Sequence, residues 1–142
     1  MAVLPEVPEL TVPAKAYFYD TDAGGVVHNV AYLRMIEMAR SEFAEHLGWS
    51  LKEMAQPGAV CPVVARTEID YLKPARMGDQ LSIRASLKRI ETVRFFIEFA
   101  MIRMPEDEVI CRAEQTMVPV SLATGKPVRL RTDWKEKWPH LA

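Results

Sequence analysis

Apolar residues in this chain repeat with a helical period over one segment and with a period of two over most of the chain beyond it. Tyr32, Ile36, Ala39, Phe43 and Leu47 recur at spacings of four, three, four and four. That spacing places them on one stripe and predicts an amphipathic helix over residues 30–47. Arg34, Glu37, Arg40, Ser41, Glu42 and Glu45 fill much of the remaining surface. Asn29 suits the N-cap and Gly48 the stop. Such a helix is about 27 Å long, enough to cross about five strands.

Alternation takes over after the helix. Ala65, Thr67, Ile69 and Tyr71 alternate with Arg66, Glu68 and Asp70, and Pro74 ends the run. Leu81, Ile83, Ala85 and Leu87 alternate with Ser82, Arg84, Ser86 and Lys88. Phe95, Ile97, Phe99 and Met101 form one apolar face, and residues 109–120 supply a last strand. Turns are expected at Met77-Gly78-Asp79, Pro105-Glu106-Asp107 and Thr124-Gly125-Lys126. Connections this short imply antiparallel neighbours. Ahead of the helix, residues 14–19 read as a first strand and 20–25 as a turn. Residues 1–14, with Pro5, Pro8 and Pro13, read as an irregular lead-in. Residues 15–131 then form one folded domain, and 132–142 a tail or short helix in which Trp134 and Trp138 share a face and dock. The class is α+β: one long helix against a curled, five-stranded antiparallel sheet.

Composition narrows the function. The 142 residues suffice for one core, and 49% are apolar. With 18 basic and 19 acidic residues the net charge is −1. A nucleic-acid-binding domain would carry a basic excess. Cys61 and Cys111 lie in apolar runs and read as buried thiols of a reducing compartment. No zinc-type spacing of Cys and His occurs, so no metal is expected. No leader peptide or membrane-spanning run is read, and a cytoplasmic location is the expectation.

The chemistry concentrates in Tyr19-Asp20-Thr21-Asp22-Ala23-Gly24-Gly25-Val26-Val27-His28-Asn29. Two carboxylates and a Gly-Gly turn stand immediately before the helix. A helix start exposes unpaired N–H groups and favours negative charge. A carboxylate beside such donors suits acyl transfer or hydrolysis, because charge develops on a carbonyl oxygen.

This run, with Tyr32 and Glu37-Met38-Ala39-Arg40, resembles the 4-hydroxybenzoyl-CoA thioesterase-like hotdog family, in the branch that includes Tol–Pal-associated acyl-CoA thioesterases. Ile69-Asp70-Tyr71-Leu72-Lys73-Pro74-Ala75-Arg76-Met77-Gly78-Asp79 is similar to that family's second strand and following turn. The resemblance covers about residues 15–122. It implies a sheet wrapped around one central helix, and homodimers or homotetramers with interfacial active sites. The implied catalytic acid is Asp22, acting as nucleophile or as general base. The implied carbonyl-polarising amide is that of Asn29, seven residues later.

On this reading the protein is an acyl-CoA thioesterase for short-chain acyl or aroyl groups, with coenzyme A present only as part of the substrate. An acyl carrier protein is the other thiol carrier considered. His28 either orients water or the acyl group, or satisfies loop backbone. Asp20 reads as solvated or turn-forming, and Glu37 as the partner of Arg40. Gly24 and Gly25 permit close approach of substrate. Tyr19 and Tyr32 line an acyl pocket or belong to the core. Lys88, Arg89, Arg129 and Arg131 fall where relatives place nucleotide contacts. A non-catalytic acyl-thioester-binding protein and a 3-hydroxyacyl thioester dehydratase are the rival functions.

Overall fold

The apolar stripe folds as expected, into helix α1 (Asn29–His46), shifted by one residue at each end. The structure, a computed structural model, describes residues 7–142. Residues 1–6, which include Pro5 of the expected lead-in, lie outside the described residues. Tyr32, Met35, Ile36, Ala39 and Phe43 form the buried side of α1. Gly48 follows the helix at φ +89°, the left-handed stop expected of it. His28, and not Asn29, is the N-cap: its side chain accepts the Ala31 N–H.

The first strand lies earlier than the sequence suggests. β1 spans Glu9–Lys15, so residues 9–14 are not irregular, and Phe18–Asp20 form a 3-10 turn instead of extended chain. Glu9, Thr11, Pro13 and Lys15 are exposed, while Leu10, Val12 and Ala14 pack toward the core. Pro13 is tolerated because β1 is an edge strand, where a missing N–H costs no ladder bond. Prolines had masked this alternation.

A short helix, α2 (Leu51–Met54), follows α1 and is capped by Ser50. The other strands are β2 (Val60–Tyr71), β3 (Gln80–Ile90), β4 (Phe95–Met104) and β5 (Glu108–Ser121). They form one antiparallel sheet in the order β1-β3-β4-β5-β2. β2 begins five residues before its expected start because a bulge between Val64 and Arg66 breaks its alternation.

Leu81, Ile83, Ala85 and Leu87 of β3 and Phe95, Ile97, Phe99 and Met101 of β4 form the core floor. α1 rests mainly on β1 and β3. β2, at the other edge, is largely exposed.

The last helix, α3 (Thr132–Lys137), closes the far end of the core. Trp134 is 1% exposed and meets Phe95 and Trp49 edge-on at 5.1 and 5.9 Å. Trp138 joins it at 6.3 Å. The expected docking of this helix therefore holds. No described helix is long and apolar enough to cross a membrane.

Cys111 is buried, but Cys61 is only partly so. Burial, with a smaller contribution from the Asp70 charge, pushes the Cys111 thiol from 9.0 up to about 11. The unfolded chain releases that proton near the ordinary value, while the folded chain keeps it. Between the two values the unfolded state binds fewer protons, so stability falls as pH rises. The unfolding free energy should drop by about 2 kcal/mol more in the wild type than in Cys111→Ala between about pH 8 and pH 11. Urea titrations at the two pH values measure this, and parallel slopes for both proteins would refute it.

Candidate active site

The segment ahead of α1 is a small hairpin. Thr21 pairs with Val27, Asp22 N–H donates to Val26 at 2.9 Å, and His28 N–H donates to Asp20 at 3.0 Å. Gly25 makes the turn at φ +78°, where a side chain would strain the backbone. Val26 bridges to Arg76, and Val27 N–H donates to Ala75 at 2.8 Å. The hairpin is thereby pinned to the chain between β2 and β3.

Asp20 is the anchor. It is 1% exposed, contrary to the solvated reading, although its turn-forming role holds. One carboxylate oxygen accepts the Tyr17 N–H at 2.9 Å, and the other meets Arg34 of α1 at 2.7 Å. Arg34 also lies over the Tyr19 ring at 5.5 Å, and Tyr19 stacks on Tyr17 at 5.7 Å. Tyr19 is 67% exposed, so it is not core.

Asp22 is exposed in the hairpin turn. Its Oδ1 accepts the Gly24 N–H at 2.8 Å, which is an Asx-type turn, and its other oxygen meets no described group. A β-carbon on Gly24 would stand 3.3 Å from that Oδ1 and crowd it.

The helix start offers donors. His28 Nδ1 accepts the Ala31 N–H at 3.2 Å, so the neutral ring carries its proton on Nε2. The Asn29 and Val30 N–H groups bond to no described residue. No acidic side chain occupies the first turn of α1, so nothing there competes for its positive end.

A cleft of about 300 Å³ opens beside Asn29, lined by Val27, Asn29, Tyr32, Tyr71, Leu72 and Lys73. Tyr32 is 3% exposed and its hydroxyl accepts the Ala75 N–H at 2.8 Å; burial raises its pKa. Tyr71 stands edge-on to Tyr32 at 5.1 Å and donates to the Asn29 carbonyl at 3.2 Å. Sequence reasoning had not singled out Tyr71. The alternation on β2 put it on the inward face, but its pairing with the helix start needed the register.

The expected nucleotide contacts lie elsewhere. Lys88 is tied to Glu114 and Glu98 at 2.7 and 3.3 Å, and Arg89 to Glu91 at 3.2 Å. Arg131 donates to Gly48 at 3.1 Å, beyond the C-terminal end of α1. Leu130 N–H bonds Thr92 at 2.8 Å, which joins residues 129–131 to the β3–β4 turn. Arg131 is thus separated from Asn29 by the length of α1, eighteen residues or about 27 Å. Arg129 is exposed and meets no described partner. Glu37 pairs with Arg40 at 3.4 Å, as expected. Among the described residues no cluster of His, Cys, Asp and Glu could hold a metal ion.

Known proteins share this architecture. The family model described as "Thioesterase-like superfamily" matches residues 17–138, and the chain belongs to that superfamily. It is 28% identical over 129 residues to the acyl-CoA thioesterase YbgC of Haemophilus influenzae, covering 91% of this chain and 93% of that one. It is 30% identical to the acyl-CoA thioester hydrolase YbgC of Escherichia coli, covering 81% and 84%. The crystal structure of Slr0204, a 1,4-dihydroxy-2-naphthoyl-CoA thioesterase from Synechocystis, superposes with a TM-score of 0.81 over 94% of this chain and 97% of that one, at 23% identity. The expected enzyme class, a thioester hydrolase, holds at the family level, ahead of the dehydratase and binding-protein readings.

Replacing Asp20 removes two acceptors from a buried position beside a half-exposed arginine. Asp20→Ala should lower stability by about 2–3 kcal/mol, and Asp20→Asn, which keeps one acceptor, by less. Equilibrium urea unfolding tests the ranking, and equal losses would overturn it.

Proposed function

We propose that this member of the thioesterase-like superfamily hydrolyses acyl-CoA thioesters, with Asp22 as the acid and the Asn29 N–H as the oxyanion donor. The observation that carries this reading is the pair of unengaged amides at the start of α1, behind a hairpin that exposes Asp22. Asp22 stands opposite Val26, three residues short of Asn29 on the returning strand. That offset is on the order of 10 Å between Cα atoms. It leaves room for a thioester carbonyl that takes a hydrogen bond on one side and attack on the other.

Two routes fit. In one, the free oxygen of Asp22 attacks the carbonyl carbon, the coenzyme A thiolate leaves, and water opens the mixed anhydride. In the other, Asp22 takes a proton from water as that water attacks. His28 keeps its Nε2–H for the water or the acyl group while its Nδ1 caps the helix. Tyr32 and Tyr71 line the acyl cleft, which suits a short or aromatic acyl group. Arg89 and Arg129 are the phosphate contacts, brought to the site by a second protomer. The motif 19–29 supports the 4-hydroxybenzoyl-CoA-like, Tol–Pal-associated branch.

Asp22→Asn should keep the fold and lower hydrolysis of short acyl- or aroyl-CoA by about a thousandfold. Thiol release followed with a chromogenic trap measures this, and undiminished turnover would sink the mechanism.

The site also calls for a second copy of the chain. β2 is an open edge with Val63 44%, Val64 37% and Tyr71 46% exposed. α1 adds Val30 at 60% and Leu33 at 38% exposure. A homodimer or homotetramer covers this apolar strip and closes the cleft beside Asn29. Light scattering should give a dimeric or tetrameric mass that falls to the monomer in Val64→Lys/Leu33→Lys. A monomeric wild type would end this part of the reading.

A further inference from the structure

The sheet face turned away from α1 carries charge in transverse rows. One row runs Asp70, Arg112, Ala100, Arg84, set by direct pairing across β2, β5, β4 and β3. The next runs Glu68, Glu114, Glu98, Ser86. A cavity of about 250 Å³ opens over both rows.

Two cations answer the three acids of the second row. Glu98 and Glu114 share Lys88, and Glu68 pairs with Arg66. The bonds to these carboxylates raise the Lys88 pKa. The two arginines are different. Neither the Arg84 nor the Arg112 side chain makes an ion pair, hydrogen bond or ring contact with any described residue, and Asp70 forms no ion pair with Arg112 although they are paired in register. Both line the cavity, and Ala100 lies between them. Two strand spacings separate their Cα atoms by about 10 Å, so both guanidiniums can reach one group above the Ala100 methyl. At that distance their repulsion is only partly screened, and a dianion between them would relieve it. Forked, permanently charged donors match the oxygens of a phosphate.

We propose that Arg84 and Arg112 form a binding site for a phosphate group on the outer face of the sheet, with Ala100 as its floor. It lies across the sheet from Asp22 and Asn29 and does not rest on the thioesterase reading. Free phosphate and the phosphate monoester of a coenzyme share this chemistry.

Calorimetric titration of the intact protein with inorganic phosphate at low ionic strength tests the site. One saturable site per chain is expected. Arg84→Gln and Arg112→Gln should each weaken it by about tenfold or more. Ala100→Leu should block it while both charges remain; should that variant not fold, the two arginine variants decide the matter. Competition identifies the source: displacement by coenzyme A but not by dephospho-coenzyme A points to the nucleotide phosphate, and displacement by neither points to free phosphate. No saturable uptake, or uptake indifferent to both arginine substitutions, overturns the proposal. So does a change in the mass of the assembly in the arginine variants without any effect of phosphate, which would make these arginines contacts to another chain.

Discussion

The buried carboxylate of Asp20 is the constraint on which the site depends. Its side chain takes the Tyr17 N–H and Arg34, and its carbonyl takes the His28 N–H. One residue thus fixes the end of the 3-10 turn, the first turns of α1 and the base of the hairpin. An acid is normally costly in such a place, and this one is held by a cation and an amide. It ties the hairpin that carries Asp22 directly to α1 through Arg34. Ala75 supplies the second restraint, accepting from Val27 and donating to the Tyr32 hydroxyl.

The protomer has two unlike ends. At the start of α1 lie free amides, exposed tyrosines and an exposed acid. At its finish lie the packed rings of Trp49, Phe95, Trp134 and Trp138 and the arginine that holds Gly48. Of the cations expected at a nucleotide, Arg89, Arg129 and Arg131 belong to the second end. A site that uses both must draw on more than one chain, which agrees with the open edge of β2 and the bare flank of α1. Catalytic donors in one protomer and phosphate contacts in another would make activity depend on assembly.

Periodicity conveyed most of the fold. α1, β3 and β4 follow the apolar spacing to within one to three residues, since each buries one complete face. The misses have physical causes. Pro13 hid β1, although an edge strand accommodates it. The Val64/Arg66 bulge hid the first half of β2. The Asp22 turn was legible because a Gly-Gly turn is a local feature, while the Asn29 amide was pointed to only by the family resemblance. Tyr71 and the burial of Asp20 were not legible, because each depends on a partner distant in sequence or on solvent exclusion that no spacing encodes. Asn29 was misread as the cap because an imidazole with a free Nδ1 serves as well as an amide oxygen.

All three tryptophans of the chain, Trp49, Trp134 and Trp138, gather at the distal end of the core. Near the hairpin the aromatic rings are tyrosines and Phe18, with no indole among them. Indole emission therefore watches the seam between α3 and the sheet, and is blind by distance to whatever occupies the cleft at Asn29. The molecule separates its optical signals by region: long-wavelength fluorescence follows the closing of the far seam, and phenol absorbance follows the mouth of the cleft.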